Sequence, residues 1–277
     1  MTQPTADQYL VYGNPIAQSR SPDIHRIFAA KSQISINYDK QLSEVGEFDA
    51  LVHDFIKKGG KGANVTAPFK EDALRMSDEL TERAALAGAV NTLTFKEGKV
   101  YGDNTDGEGL VQDLLMNDII LNRSRILILG AGGAARGVIL PILAQNPKSI
   151  TIANRTVSKA IDLCDNFNDS RLSGSGFDDT INHEYDLVIN ATSASLSGDL
   201  PPISTSIISS SVACYDMVYS KHDTPFLKWA KAQGAKKAID GLGMLVGQAA
   251  VSFSVWHDVT PDVKPVIESL RATIKAE

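Results

Sequence analysis

Short apolar runs and polar breaks divide the 277-residue chain into alternating strand and helix signals. The runs Tyr9–Tyr12, Asn37–Leu42, Gly62–Val65, Ile126–Leu129, Ile150–Ile152, Tyr185–Ile189 and Val212–Tyr219 predict strands. Between them, apolar residues recur at helical spacing: Ile24, Ile27 and Phe28; Phe48, Leu51, Val52, Phe55 and Ile56; Leu110, Val111, Leu114 and Leu115; Val138, Ile139, Ile142 and Leu143; Ile161 and Leu163; Phe226, Leu227, Trp229 and Ala230. An Ala-rich helix is expected over Thr81–Ala87, a hairpin turning at Glu97-Gly98 over Leu93–Tyr101, and two closing helices over Leu245–Trp256 and Pro261–Lys275. Ser21 is expected to cap a helix with Pro22 as its first residue, Thr156 to cap another, and Pro68 to lie in the first turn before Lys70. The stretch from Asn166 to Glu184 reads as polar loop. Strands that alternate with helices in this way imply an α/β fold with a parallel, doubly wound sheet.

Length favours two domains. A formal net charge of −6 without a Lys/Arg run argues against nucleic acid as a partner. Residues 1–8 read as a loose tail rather than a signal peptide, and no run approaches the length of a membrane span. Cys164 and Cys214 have neither metal-ligand spacing nor the pattern of a disulfide framework, so a reducing, cytoplasmic setting is expected. The five histidines, His25, His53, His183, His222 and His257, form no metal-ligand spacing, and no metal is expected.

Candidate chemistry concentrates where strands end. The apolar run Ile126–Leu129 leads into Gly130-x-Gly132-x-x-Ala135 and then a helix, which satisfies G-x-G-x-x-[G/A], the phosphate-binding turn of dinucleotide domains. One βαβ unit later, where an acid would read a free ribose 2′-hydroxyl, the chain has Asn154-Arg155-Thr156, with Lys159 one helical turn on. A solvated helix face is the ordinary role of such cations; their place after the second strand favours a 2′-phosphate, and so NADP. In the N-terminal region the strands end in small polar residues: Asn64, Thr66, Asn91, Asn104, Thr105 and Asp106. That set suits a ligand carrying several hydroxyls. Ser19 and Ser21 fit capping and ligand binding equally well. Lys70, at a helix N-terminus, is a cation where the dipole disfavours one, whereas Asp106 suits its own helix start as a cap.

Gly13-Asn-Pro-Ile-Ala-Gln-Ser-Arg-Ser-Pro22, Asn64-Val-Thr-Ala-Pro-Phe-Lys70, Gly88-Ala-Val-Asn-Thr92, Gly102-Asp-Asn-Thr-Asp-Gly107, Gly130-Ala-Gly-Gly-Ala-Ala-Arg136, Asn154-Arg-Thr156, Asn190-Ala-Thr-Ser193, Tyr215-Asp-Met-Val-Tyr219 and Asp240-Gly-Leu-Gly-Met-Leu-Val-Gly-Gln248 occur in this order. Together they resemble the shikimate dehydrogenase family over essentially the whole chain. The resemblance implies reversible reduction of 3-dehydroshikimate to shikimate with NADPH, in aromatic amino-acid biosynthesis. It implies an α/β substrate domain of residues 1–105 and 241–277, formed by both chain ends with a C-terminal helix returning to it. A Rossmann-type NADP domain with a doubly wound parallel sheet would take residues 106–240, leaving two linkers across one cleft. Lys70 and Asp106 match the family's catalytic pair. Ser19, Ser21, Asn64, Thr66, Asn91, Tyr219 and Gln248 match residues that contact substrate. Cofactor contacts are implied for Gly130, Ala131, Gly132, Gly133, Ala134, Asn154, Arg155, Thr156, Lys159, Thr192, Met217, Gly241 and Met244. The implied partner is a small molecule, with no nucleic acid or membrane, for a monomer or homodimer.

Two departures stand out. The family often has Arg where Lys159 stands, which replaces a bidentate phosphate contact by a point charge. Ser195 stands where relatives commonly have Gly, and a positive φ there would strain it. The alternatives are a quinate/shikimate dehydrogenase that uses NAD, which Arg155 disfavours, and a non-catalytic shikimate sensor, which retention of Lys70 and Asp106 disfavours.

Overall fold

The computed structural model describes residues 6–276. The expected N-terminal tail lies outside the described residues up to position 5, while Asp7 and Gln8 already belong to the first strand. The chain divides into two compact units, one containing the residues up to Gly109 together with Val246–Val266, the other containing Leu110–Leu245 and the residues from Ile267 on.

The first unit contains β1 (Asp7–Gly13), α1 (Ser21–Ser32), β2 (Ile36–Leu42), α2 (Phe48–Lys57), β3 (Gly62–Val65), α3 (Lys70–Met76), β4 (Glu79–Leu80), α4 (Glu82–Ala87), β5 (Thr92–Lys96), β6 (Lys99–Asp103) and the start of α5 (Asp106–Met116). Its sheet runs β2-β1-β3-β5-β6-β4. β1 pairs in parallel with β2 and β3, β5 is antiparallel to both β3 and β6, and the short β4 is parallel to β6. This register sets Val11 opposite Asn64 and Asn64 opposite Thr92, so polar groups gather where buried strands end. Tyr12, Phe48, Val52, Ala63, Val65, Phe69 and Leu93 fill the core beneath them.

The second unit is built on β7 (Arg125–Leu129), α6 (Gly133–Ala144), β8 (Ser149–Ala153), α7 (Val157–Phe167), β9 (Leu172–Ser175), β10 (Leu187–Asn190), α8 (Ala194–Ser197), β11 (Ala213–Asp216), α9 (Pro225–Ala232) and β12 (Lys237–Asp240). Six strands in the order β12-β11-β10-β7-β8-β9 are all parallel. The chain starts in the middle at β7, works outward through β8 and β9, and then resumes beside β7 at β10. The topological switch point, where open α/β sheets bind their ligands, therefore lies between the ends of β7 and β10. Ile126–Leu129 and Leu187–Ile189 are fully buried, as continuous apolar strands covered on both faces must be.

Several expectations are corrected. Arg20 is the N-cap of α1 and Ser21 its first residue; Ser19 Oγ accepts the Ser21 N–H at 3.3 Å in place of a Ser21 cap. Pro68 precedes α3, whose N-cap is Phe69. Thr156 occupies the N-cap of α7 without a side-chain cap bond, and Asn154 Nδ2 donates to its carbonyl. The expected loop at 166–184 contains β9 and a 3-10 turn at Asp178–Asn182. β9 left no periodicity in the sequence because only Leu172 is apolar; its Gly174 runs so close to α7 that a Cβ would lie 2.5 Å from the Ile161 nitrogen. The strand expected over Val212–Tyr219 is confined to Ala213–Asp216, and the edge strand β12 was not anticipated. α10 (Leu242–His257) begins earlier than expected, because Asp240 Oδ1 accepts the Leu242 N–H. α11 (Lys264–Ala276) begins later, where Asp262 accepts the Lys264 N–H. From Ile267 on, α11 lies in the second unit, where its Arg271 clasps Asp240 with both terminal guanidinium nitrogens.

His25 on α1 is fully buried and stacks face to face on Tyr38 of β2, with centroids 4.3 Å apart and planes 8° apart. Burial, with His257 nearby, lowers its pKa to about 3 against the contact with Asn64, so the folded ring is neutral. An unfolded His25 takes up its proton near pH 6.5. The stability that this residue supplies is therefore complete above that pH and is lost as pH falls toward about 3. We expect the unfolding free energy from urea titrations to fall by up to about 1.4 kcal/mol per pH unit below about pH 6, and His25→Phe to lack that component.

Candidate active-site residues

In the first unit, α3 begins with Lys70 and α5 begins with Asp106, and these helix starts are brought together. Lys70 Nζ donates to Asp106 Oδ2 at 2.5 Å, and Asn91 Nδ2 donates to Asp106 Oδ1 at 2.8 Å. The pair is partly open, with side chains 30% and 14% exposed, so it is held in place yet reachable. Asn91 is buried: its Oδ1 accepts from the Thr105 N–H at 2.9 Å and from Thr92 Oγ1 at 2.9 Å.

Asn64 stands next to this group. Its Nδ2 donates to the Asn91 carbonyl, Thr92 Oγ1 and Ser252 Oγ at 3.0–3.2 Å, and its Oδ1 accepts from Tyr38 Oη at 2.7 Å. Ser252 Oγ also donates to the Gln248 carbonyl at 3.1 Å, which links α10 to the same network. Ser19 and Ser21 form a pair, with hydroxyls 3.3 Å apart in the segment from β1 into α1. Thr66 follows β3, where its N–H donates to the Tyr12 carbonyl at 2.9 Å. Asn104 and Thr105, expected among the ligand groups, are buried members of the frame instead; Asn104 Nδ2 donates to the Ala89 carbonyl at 3.0 Å.

Arg83, Asp103, Tyr38 and Ser252 were missed by sequence reasoning. Arg83 grips Asp103 through Nε and Nη2 at 2.7 and 2.6 Å, while Thr81 Oγ1 and the Asn104 N–H also donate to Asp103 Oδ1 at 2.7 Å each. Burial works to raise the Asp103 pKa, but the guanidinium and these donors overcome it and hold the carboxyl below its usual range. This bracing fixes the loop that delivers Asp106. The available signals were the spacing Thr81-x-Arg83 at a helix start and the isolated polar Ser252 in the apolar run Ala249–Phe253.

In the second unit, Gly130 leaves β7 with φ +103°, and a Cβ there would approach Thr192 Cγ2 to 3.1 Å and the Ala191 carbonyl to 3.3 Å. Gly132 is the N-cap of α6, with no side-chain cap and no acid in the first turn. Gly132, Gly133 and Ala134 are exposed, and an added Cβ on either glycine would meet nothing within 4 Å. Free N–H groups thus face open space at the positive end of a 12-residue helix, a setting that fits a pyrophosphate. Arg136 Nε, buried and without a partner, adds an unspent donor in the same first turn. Beyond β8, Arg155 and Lys159 are exposed and no acidic partner is found for either among the described residues, which fits a second phosphate.

Thr192 is fixed by Asn190, whose Oδ1 accepts from its N–H at 3.1 Å and from its hydroxyl at 2.7 Å. Gly241 lies against Met217, where a Cβ would stand 2.2 Å from the Met217 carbonyl oxygen. Met244 is largely buried in the unit's core, with Met217 packed against the same cluster. Tyr219 also belongs to this unit, in the segment after β11. Ser195 has no positive φ, so the expected strain is absent. Its hydroxyl instead donates to the fully buried Asp216 at 2.6 Å, beside Thr224 Oγ1 at 2.5 Å and Asn190 Nδ2 at 3.2 Å.

Family comparison matches residues 11–93 to the shikimate dehydrogenase substrate binding domain, 113–197 to shikimate/quinate 5-dehydrogenase, and 241–271 to the shikimate 5′-dehydrogenase C-terminal domain. A shikimate dehydrogenase (NADP(+)) of Colwellia psychrerythraea is 70% identical, over 99% of this chain and 100% of its own. Among solved structures, an Ael1 enzyme from Pseudomonas putida superposes with a TM-score of 0.93 at 43% identity, covering 96% of this chain and 98% of that one. A shikimate 5-dehydrogenase from Thermus thermophilus, in complex with NADP(H) and shikimate, has a TM-score of 0.86 at 30% identity, covering 96% of this chain and 99% of that one.

Ser195 supplies one of the donors to a buried carboxylate, so its removal leaves that charge less well satisfied. Ser195→Ala is expected to cost about 1.5 kcal/mol of stability in urea denaturation.

Proposed function

The chain belongs to the shikimate dehydrogenase family, and from that premise we propose that it reversibly reduces 3-dehydroshikimate to shikimate with NADPH, in aromatic amino-acid biosynthesis. The observation that carries the mechanism is the state of Asp106. Both of its oxygens accept, one from the Lys70 ammonium and one from the Asn91 amide. It therefore acts as an anchor that aims Lys70, and we assign the transferred proton to Lys70.

NADPH, when bound, supplies the hydride that reduces the ketone carbon. As the carbon–oxygen π bond opens, its electron pair becomes an alkoxide, which the Lys70 ammonium stabilises and protonates. The resulting amine recovers its proton from water through its exposed side, and in the reverse direction it takes the proton from the substrate hydroxyl. Ser19 and Ser21 hold the substrate carboxylate. Asn64, Thr66, Asn91, Asp106, Tyr219 and Gln248 take the hydroxyls or the carboxylate; each polar contact made in the interior penalises an analogue that lacks its partner.

Gly130 to Ala134 hold the pyrophosphate on the N-terminus of α6, and Arg155, Thr156 and Lys159 hold the 2′-phosphate beside Asn154. Thr192, Met217, Gly241 and Met244 complete the cofactor wall. The reading carries with it a cytoplasmic monomer or homodimer, and the two free, buried thiols suit a reducing compartment.

Lys70→Ala is expected to lower kcat by about 10²–10⁴-fold while the shikimate Kd, read by fluorescence titration, moves less than about tenfold. Unchanged turnover would sink the assigned role. In steady-state kinetics with both cofactors, Arg155→Ala should raise the NADP KM about 10–30-fold and leave the NAD KM within about twofold. A parallel rise for NAD would place Arg155 elsewhere than on the 2′-phosphate.

A further inference from the structure

Tyr38 is a core residue with an unusual duty for its hydroxyl. It is 1% exposed, and its ring is packed against His25 and against Trp256 at 6.3 Å. Phenylalanine would satisfy that packing equally well. The hydroxyl, however, lies 2.7 Å from Asn64 Oδ1.

The direction of this bond follows from the far side of Asn64. Its amide faces the Asn91 main-chain carbonyl at 3.1 Å, an atom that can only accept. The nitrogen must therefore point there, which turns the amide oxygen to Tyr38 and obliges the phenol to donate. The phenol's single proton is thereby committed to Asn64, and the bond joins β2 to β3.

We propose that Tyr38 is a positioning residue that sets the hydroxyl-binding Asn64 through its phenol. The inference rests on the substrate role of Asn64 given above. Without the phenol, Asn64 Oδ1 loses its hydroxyl donor in the interior, and the side chain is held from its nitrogen side alone.

The test is steady-state kinetics on Tyr38→Phe, Asn64→Ala and the double variant. Tyr38→Phe is expected to raise the shikimate KM about tenfold, with kcat within about twofold and the NADP KM unmoved. Asn64→Ala should raise the shikimate KM at least as much, and Tyr38→Phe should add less than about twofold on that background, because it acts through Asn64. A purely structural role would lower the folded fraction, and with it the apparent kcat, leaving both KM values alone. The proposal is overturned if Tyr38→Phe leaves the shikimate KM unchanged while Asn64→Ala raises it, or if the two effects multiply in the double variant. If Asn64→Ala itself leaves KM unchanged, the substrate role of Asn64 fails instead, and the positioning role falls with it.

Discussion

A buried amide or hydroxyl that finds no partner costs as much as a folded domain can spare for one residue, and that constraint organises the first unit. The strand ends place Asn64, Asn91 and Thr92 in the interior, and each must be answered. Asn91 is answered by Thr105 and Asp106, which fixes where α5 starts; Asn64 is answered by Tyr38, the Asn91 carbonyl and Ser252, which fixes β3 against β2, β5 and α10. The Lys70–Asp106 pair inherits its geometry from this net. Asp106 receives an amide proton on one oxygen, so its second oxygen is directed at the ammonium before any substrate arrives.

The second unit meets a different constraint with different means. Its central strands β7 and β10 are covered on both faces and read as continuous apolar runs, so side-chain chemistry enters only where they end. Gly130 ends β7 in a conformation that a side chain resists, and the helix that follows is left uncapped at an exposed end. What would be a defect in an ordinary helix becomes, in the proposed function, the surface that holds the pyrophosphate. Asp216 does the converse: a carboxylate buried at the end of β11 gathers Ser195, Thr224 and Asn190, tying neighbouring loops into one body.

The sequence foretold those parts whose chemistry is local. The Gly130 turn, the Glu97-Gly98 hairpin and the apolar runs each carry their signal within a few residues, and the structure has them where they were expected. Parts that depend on a distant neighbour left no such trace. β9 is a strand because Ile150 and α7 make a place for it, not because Leu172-Ser-Gly-Ser has strand character. Ser21 looked like a cap because sequence shows only the hydroxyl and the proline after it; in the fold Arg20 holds the cap position, and Ser19 accepts the Ser21 N–H. Tyr38 was silent for the same reason, since its partners Asn64 and His25 are distant in sequence and adjacent only across the folded sheet.

Gly174 shows how far such dependence reaches. α7 rests on β9 at a separation that no side chain can occupy, with the Ala160 and Ile161 backbone against the bare Cα. Lys159 is the neighbour of Ala160 on that helix, so the height of this proposed phosphate-reading cation above the sheet is set by a missing methyl group on an edge strand further along the chain.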